Sequence, residues 1–221
     1  SVLLKGIQKR GGNIVVVCTR KTETTNISNQ HIMICPGTDL FLLMGMMKHI
    51  IDHKLYDHEF VNNRTKGFSN WEEIAKGLSM QSLSIITEIP LSVINTLAEE
   101  YATAKSAFIT TRVGVQTSHN TTLTEWLVQS LNAVTGRLDR KGGMFFNPGA
   151  INNTDLIHLF TKRKNPAPSR IGGYPQIFGG PPASVFADDV LSADSDRIRA
   201  LIFIAGNPVI SLPNTKKMEK A

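Results

Sequence analysis

The hydrophobic pattern of the N-terminal part of the chain predicts two strands followed by a helix. Residues 13–18, NIVVVC, form a continuous β-branched run that is typical of a strand covered on both faces in a parallel sheet. Residues 31–35 form a second short apolar run, which a Pro-Gly pair ends. A helical pattern then covers residues 38–53, and either Thr38 or Asp39 is its natural N-cap.

Helical periods continue along the chain and predict helices over residues 70–78, 90–105 and 122–136. Asn70 is the expected N-cap of the first of these helices. The last helix has an apolar stripe that should face the core, and this stripe consists of Leu123, Trp126, Leu127, Leu131 and Val134.

Short apolar runs predict further strands over residues 106–111 and 200–205. Between residues 139 and 197 proline and glycine cluster and the periodicity is lost, which indicates a long irregular loop region. We therefore divide the chain into an α/β segment (1–138), this irregular region, and the start of a second α/β segment (198–221). The predicted fold class is α/β, with Rossmann-like three-layer units around a parallel sheet.

Composition and charge narrow the possible partners. The chain has 24 Lys and Arg against 18 Asp and Glu, and its net charge of +6 would suit an anionic partner. The densest basic runs, 161–170 and 214–221, have no aromatic residues interleaved as a stacking platform, so solvated loops are favoured over a nucleic-acid site. We expect no direct membrane insertion and recognise no targeting signal, which leaves a cytoplasmic or a periplasmic location open. Two cysteines, Cys18 and Cys35, form neither a disulfide framework nor a metal motif.

Small, polar or hydroxyl-bearing residues follow each predicted strand, at 18–22, 37–39, 112–117 and 206–208. In open α/β sheets ligands bind beyond the carboxyl ends of the strands, where glycines let a phosphate approach the backbone. Any one of these turns is also explained by the geometry that a strand-to-helix connection requires. Their agreement favours a nucleotide-like ligand.

The chain resembles the central part of the molybdopterin oxidoreductase (DMSO reductase) family, which includes formate dehydrogenases and nitrate reductases. The resemblance runs from about residue 11 to the last residue, apart from the long loop, and rests on the ordered blocks VVVCTRKTETT, ISNQHIMICPGTD, KLYDHEFVNNRTKGF, YATAKSAFITTRVGVQTSHNTT, SLNAVTGRLDRKGG and LIFIAGNPVISLPNT. It implies a bis(molybdopterin guanine dinucleotide) cofactor carrying molybdenum or tungsten, held between Rossmann-like domains, for two-electron or oxygen-atom-transfer chemistry such as that of anaerobic respiration.

The resemblance also implies which residues contact the cofactor. One guanosine would be lined by Cys18, Thr19, Arg20 and Thr22. A carboxylate would be presented to the guanine N–H groups by the turn Gly37, Thr38 and Asp39. The pterin would be covered by the turn of Arg112, Val113, Gly114, Gln116 and Thr117. The other half of the cofactor would be contacted by Asn207.

Two features of the sequence depart from the family pattern. The family usually has Asp-Pro-Arg where this chain has Cys18-Thr19-Arg20, and the glutamine of the third turn, Gln116, comes one place early. For Cys18 a buried structural thiol is the favoured interpretation, and for Asp39 a plain N-cap is the alternative.

No catalytic residue and no metal ligand is predicted within this chain. The metal-binding residue and the cysteines of a possible iron–sulfur cluster are expected in a preceding N-terminal region, so we interpret the sequence as a fragment of a larger multi-domain subunit, inactive alone, with possible electron-transfer subunits as partners. A non-catalytic structural or electron-transfer homologue without the metal cofactor is the alternative, and a generic nucleotide-binding module is a third hypothesis. A zinc site at His49 and His53, four residues apart, is a weaker possibility than two ordinary histidines at a helix end.

Overall fold

The computed structural model describes residues 2–146, 167–176 and 180–221. The chain divides into two compact units, residues 1–146 and 147–221. The helices of the first unit are α1 (Val2–Lys9), α2 (Glu23–Asn26), α3 (Asp39–Asp52), α4 (His58–Arg64), α5 (Phe68–Gly77), α6 (Met80–Thr87), α7 (Leu91–Thr103), α8 (Val113–Gln116) and α9 (Thr121–Val134).

A small parallel sheet lies in the first unit and consists of β1 (Val15–Cys18) and β2 (Gln30–Met33). In its register Val15 pairs with Gln30 and Cys18 pairs with Met33. The parallel pairing expected from the sequence is confirmed. Full burial of the first strand was a wrong expectation, because all four residues of β1 are only partly buried.

Helix α3 forms the centre of the first unit. It packs against α5, α6, α7 and α9. A helix surrounded in this way is expected to be apolar on nearly every side. Its buried residues are Leu40, Leu42, Leu43, Gly45, Met46, Met47, His49, Ile50 and Ile51.

The predicted helices are present, with two corrections. Helix α5 begins at Phe68, after Gly67 in the left-handed conformation (φ 78°), so Asn70 lies inside the helix and is not its N-cap. Helix α9 buries Leu127, Leu131 and Val134, but about half of the surface of both Leu123 and Trp126 is exposed, so these two residues of the predicted stripe do not face the core. Trp126 instead stacks on Trp71 of α5, with ring centroids 5.5 Å apart.

Two predicted strands, 106–111 and 200–205, are not strands. A strand needs a neighbouring backbone for its ladder of hydrogen bonds. In the first segment, the backbone of Ile109 bonds to the side-chain amide of Asn132. In the second, residues 201–204 are exposed and have no ladder partner in the part of the chain that the structure describes.

The second unit contains a 3-10 helix (Ala183–Val185), α10 (Phe186–Leu191), α11 (Pro208–Ser211) and α12 (Thr215–Met218). Arg170 bonds to Asp189 at 2.7 Å and to Asp194 at 2.8 Å. The hydrogen bond from Arg170 lowers the pKa of Asp189.

The region predicted to be irregular therefore contains regular elements. Residues 147–166 and 177–179 of that region, with most of the basic run 161–170, lie outside the described residues. The domain boundaries drawn from the sequence stay a prediction. No helix among the described residues is both long and apolar enough to span a membrane.

Candidate functional site

Two of the predicted site loops leave the same edge of the sheet. Because β1 and β2 are parallel and Cys18 pairs with Met33, the chain segments that follow both strands start side by side. The imidazole Nε2 of His31 lies 3.1 Å from the carbonyl oxygen of Cys18, which fixes the end of β1. The Cys18 thiol is half-buried.

The first loop ends in a capped turn of helix. Thr25 N–H donates to Thr22 Oγ1 at 3.2 Å, and Thr22 N–H donates to Thr25 Oγ1 at 2.8 Å, so the two residues form a reciprocal capping box. Thr19 and Arg20 precede this turn and are exposed. Within the described ranges the Arg20 guanidinium has no hydrogen-bond or ion-pair partner, so it is free to meet an anionic group.

The second loop is a type II turn that leads into α3. Thr38 N–H donates to the carbonyl of Cys35 at 3.2 Å, with Pro36 and Gly37 as the central residues. Gly37 has φ 77°, which a type II turn requires at that position. The Cys35 N–H donates to the carbonyl of Thr87 at 3.1 Å, which anchors the turn to the end of α6.

Asp39 is the first residue of α3, and Thr38 is the N-cap. The alternative role of Asp39 as N-cap is therefore wrong. The Thr38 hydroxyl donates to the Cys35 carbonyl at 2.7 Å and does not cap the helix. The Asp39 carboxylate is partly exposed and has no partner among the residues with described positions. It sits at the positive end of a 14-residue helix, beside N–H groups that have no intrahelical acceptor.

The third predicted loop is attached to helix α9. Arg112 is extended and precedes α8, whose Val115 is buried, and the hydroxyl of Thr121 at the start of α9 donates to the Val115 carbonyl at 3.0 Å. Thr117 donates from its hydroxyl to the carbonyl of Val113 at 3.1 Å. Gly114 and Gln116 are exposed. No hydrogen bond in the described part of the chain joins this loop to the two loops at the sheet edge.

Asn207 lies in the second unit, where it is the N-cap of α11. Its Oδ1 accepts a hydrogen bond from Val209 N–H at 3.1 Å. The side-chain NH2 group of Asn207 has no partner within the described residues, so it is available to a ligand acceptor.

The two histidines considered for zinc have other partners. His49 Nε2 lies 3.1 Å from Glu99 Oε1, and His53 Nδ1 lies 2.9 Å from the carbonyl of His49. Their rings stack with centroids 4.1 Å apart. No cluster of three or more His, Cys, Asp or Glu residues suited to a metal occurs among the residues whose positions are described.

A polar feature that the sequence analysis missed is the environment of Arg137. This residue is buried, and its Nη2 donates to the carbonyls of Tyr101 at 2.7 Å, Ala102 at 3.0 Å and Ala104 at 2.6 Å. These carbonyls belong to the C-terminal end of α7, where helix carbonyls lack intrahelical donors. The guanidinium also lies over the Tyr101 ring, 5.0 Å from its centroid. Burial lowers the pKa of Arg137 and raises that of Tyr101.

Arg137 also lines a cavity of about 370 Å³, which we call the basic cavity. The charged residues of its lining are Asp57, Lys105, Arg137, Arg140 and Lys141. The signal for this cavity in the sequence is the charge cluster RLDRK between two glycine turns.

Comparisons with known proteins agree on one family. The sequence model of the family described as molybdopterin oxidoreductase matches residues 3–221. The chain is 38% identical over 133 residues to formate dehydrogenase H of Escherichia coli, covering 60% of this chain and 19% of that protein. It is 25% identical over 232 residues to the assimilatory nitrate reductase catalytic subunit of Bacillus subtilis, covering 97% of this chain and 32% of that protein.

A solved structure is also similar. Acetylene hydratase from Pelobacter acetylenicus matches with a TM-score of 0.57 and 29% identity, over 60% of this chain and 18% of that chain. The chain thus spans about a third or less of the length of the proteins it matches.

Proposed function

The chain belongs to the molybdopterin oxidoreductase family, and from this premise we propose that it binds the guanine dinucleotide portion of a molybdopterin cofactor. The family implies a molybdenum or tungsten pterin cofactor. The bis(molybdopterin guanine dinucleotide) form is our proposal. When bound, this cofactor supplies two-electron or oxygen-atom-transfer chemistry, and the chain supplies binding and orientation.

One observation carries the proposal: the chain segments that form the loops 18–22 and 37–39 start side by side at the carboxyl edge of two paired parallel strands. That edge is where α/β proteins bind nucleotides. Helix α3 follows the second loop directly, so its positive N-terminal end begins at that loop.

The donor and acceptor chemistry of the two loops fits a guanosine. A guanine edge offers two adjacent N–H donors, and the Asp39 carboxylate accepts two hydrogen bonds without a competing partner in the described residues. The exposed side chains of Thr19 and Arg20 offer a hydroxyl and a guanidinium to a ribose or a phosphate. The backbone N–H and carbonyl of Thr22 are bonded within the capped turn, and its hydroxyl accepts the capping bond through its oxygen, so the hydroxyl hydrogen is what Thr22 would offer to the same nucleotide. Cys18 would line that nucleotide at the end of β1.

The third loop fits a flat ligand approaching the backbone. A Cβ on Gly114 would meet no atom within 4 Å, and Gly114 does not have a positive φ, so neither crowding nor backbone conformation requires glycine there. We propose that the pterin lies against this loop, with the exposed Arg112 guanidinium, which has no partner among the described residues, as its polar contact.

The remaining proposals concern the larger protein. We propose that the two-stranded sheet belongs to a Rossmann-like three-layer unit, that Asn207 contacts the other half of the cofactor, and that the metal ligand and any iron–sulfur cysteines lie outside residues 1–221. Electron-transfer subunits would be partners of the whole protein.

The test measures metal content and released guanine nucleotide in the full-length protein purified without oxygen. We expect molybdenum or tungsten and close to two guanine nucleotides per chain. Asp39→Asn keeps the size of the side chain but replaces one acceptor by a donor, so nucleotide content should fall by about ten-fold or more. Glu59→Gln, which neutralises an acid in the first turn of α4, is the matched control. It should retain both the metal and the guanine nucleotide.

The same measurement distinguishes the proposed function from the alternative, which is a homologue that keeps the fold without a metal cofactor. The replacement of the usual aspartate by Cys18 is the observation that favours it. A well-folded protein with neither metal nor guanine nucleotide would establish that alternative and end the oxidoreductase proposal. Guanine nucleotide without pterin or metal would instead indicate a nucleotide-binding module.

A further inference from the structure

The basic cavity lies at the end of the first unit that is opposite to the proposed cofactor edge. Asp39 begins α3 at that edge, and Asp57 of the cavity lining lies just beyond the C-terminal end of the same helix. Fourteen residues at 1.5 Å per residue separate the two ends by roughly 20 Å. A group bound in the cavity is therefore distinct from a nucleotide bound near Asp39.

Part of the positive charge at the cavity already interacts with carbonyl groups and a carboxylate of the protein itself. Arg137 donates to the carbonyls at the end of α7, and Arg140 donates to the carbonyl of Gly136 at 2.9 Å and lies 3.9 Å from Asp57. Helices α3, α7 and α9 all end near the cavity lining, and each helix C-terminus is worth about half a negative charge.

The charges of the cavity lining do not balance. Four cationic side chains line the cavity, while Asp57 and three helix ends offset only about two and a half positive charges. Lys105 and Lys141 carry the surplus. Both are exposed, and neither has a hydrogen-bond or ion-pair partner within the described ranges.

Arg137 provides a second and independent observation. Its side chain is 93% buried, since its relative exposure is 7%, and its Nε is a buried donor without an acceptor among the residues that the structure describes. The buried guanidinium is held in place by the α7 carbonyls, so it adds a fixed positive charge beside the cavity that an anion bound there would meet.

We infer that the basic cavity binds an oxyanion of the phosphate class between Lys105, Lys141 and the Arg137–Arg140 pair. Several acceptor oxygens and a charge near minus two match the ammonium groups of the two lysines and the exposed guanidinium of Arg140, with the fixed charge of Arg137 beside them. The volume exceeds what one phosphate group needs, so the source is either free phosphate or the phosphate of a small phosphomonoester.

The test is isothermal titration calorimetry on the full-length protein, with inorganic phosphate and with glycerol phosphate as separate probes. In Lys105→Gln/Lys141→Gln we expect binding to weaken by about ten-fold or more. Lys66→Gln/Lys76→Gln removes the same charge from exposed lysines outside the cavity lining, so its affinity should stay within about two-fold of the unaltered protein.

Equal affinity for the two probes supports the inference with free phosphate as the source, and tighter binding of glycerol phosphate supports it with a phosphomonoester. Absence of binding to both probes overturns it, as does an equal loss of affinity in the two lysine pairs. Because all four lysines are exposed, each variant should unfold at the same temperature as the unaltered protein in phosphate-free buffer. The inference does not depend on cofactor content, so it is tested separately from the proposed function.

Discussion

The side chain of Asn132 pairs with the backbone of Ile109 in the way that a neighbouring strand would. Asn132 Oδ1 accepts from Ile109 N–H at 3.0 Å, and Asn132 Nδ2 donates to the Ile109 carbonyl at 3.0 Å. Asn132 is fully buried and also accepts a hydrogen bond from the Tyr101 hydroxyl at 3.0 Å. One amide therefore joins α9, α7 and the segment that leads to the third loop of the candidate site.

We expect Asn132→Ala to lower the free energy of unfolding by about 2–4 kcal/mol, because it leaves both backbone groups of Ile109 without the amide and the Tyr101 hydroxyl without its acceptor. Urea denaturation measures this loss. Asn63→Ala, at an exposed position of α4, is the matched control and should change stability by no more than about 0.5 kcal/mol. Similar losses in both variants would contradict the role given to Asn132.

Arg137 should not be replaceable by lysine. Arg137→Lys keeps the charge, but one ammonium nitrogen cannot stand both where Nη2 meets the α7 carbonyls and where Nη1 donates to the Thr135 carbonyl at 3.3 Å, and it has no planar group to lie over the Tyr101 ring. We expect a loss of about 1.5–3 kcal/mol in urea denaturation. Arg64→Lys, exposed in the last turn of α4, should be close to neutral, and a neutral Arg137→Lys would show that these bonds contribute little.

Tyr101 should make stability depend on pH in the alkaline range. Burial raises the pKa of Tyr101, so the folded state holds the phenol proton more tightly than the unfolded state does. This contribution is fully present below the unfolded pKa of about 10 and is lost as pH rises through the raised value. The free energy of unfolding should therefore fall above pH of about 10.

Tyr101→Phe tests this dependence. The variant loses the hydrogen bond to Asn132 and should be less stable at neutral pH, but its stability should fall less steeply in the alkaline range. Urea denaturation at a series of pH values measures both effects. Tyr174→Phe, at an exposed tyrosine, is the control and should keep the slope of the unaltered protein. An unchanged slope in Tyr101→Phe would assign the alkaline loss to other groups.

The helices could be predicted from the sequence because their signals are local. The predicted helix over 38–53 differs from α3 by one residue at each end, since its cap and its apolar run are adjacent in the chain. The start of α5 was missed because the helix begins directly after Gly67, which adopts a left-handed conformation. The sequence offers a typical N-cap residue, Asn70, three positions later, and that residue suggested a later start. The strands at 106–111 and 200–205 failed because a strand depends on a distant partner that an apolar run does not identify.

The same difference between local signals and distant contacts decides which parts of the candidate site could be predicted. The loops after β1 and β2 could be predicted, since small and hydroxyl-bearing residues follow each strand directly in the sequence. The basic cavity could not be predicted, because Arg137 and the α7 carbonyls it meets are more than thirty residues apart. No periodic pattern relates such residues, and only the packing of α7 against neighbouring helices brings them together.

Gly114 offers a test that separates cofactor binding from folding. A Cβ at Gly114 would contact nothing within 4 Å, and the same is true of Gly77 at the end of α5. Neither glycine has a positive φ. Alanine in place of either should therefore leave stability unchanged or raise it by up to about 1 kcal/mol, through higher helix propensity and a less flexible unfolded chain.

If the pterin lies against the third loop, Gly114→Ala and Gly77→Ala should differ in cofactor content alone. A methyl group on Gly114 would hold a flat ligand away from the backbone, so we expect released pterin to fall by about ten-fold in Gly114→Ala, while Gly77→Ala keeps the full amount. Fluorescence of the oxidised pterin measures content, and urea denaturation of both proteins checks that each is folded. Full pterin content in Gly114→Ala would show that this loop does not contact the pterin. The guanosine contact of Asp39 is tested separately by Asp39→Asn.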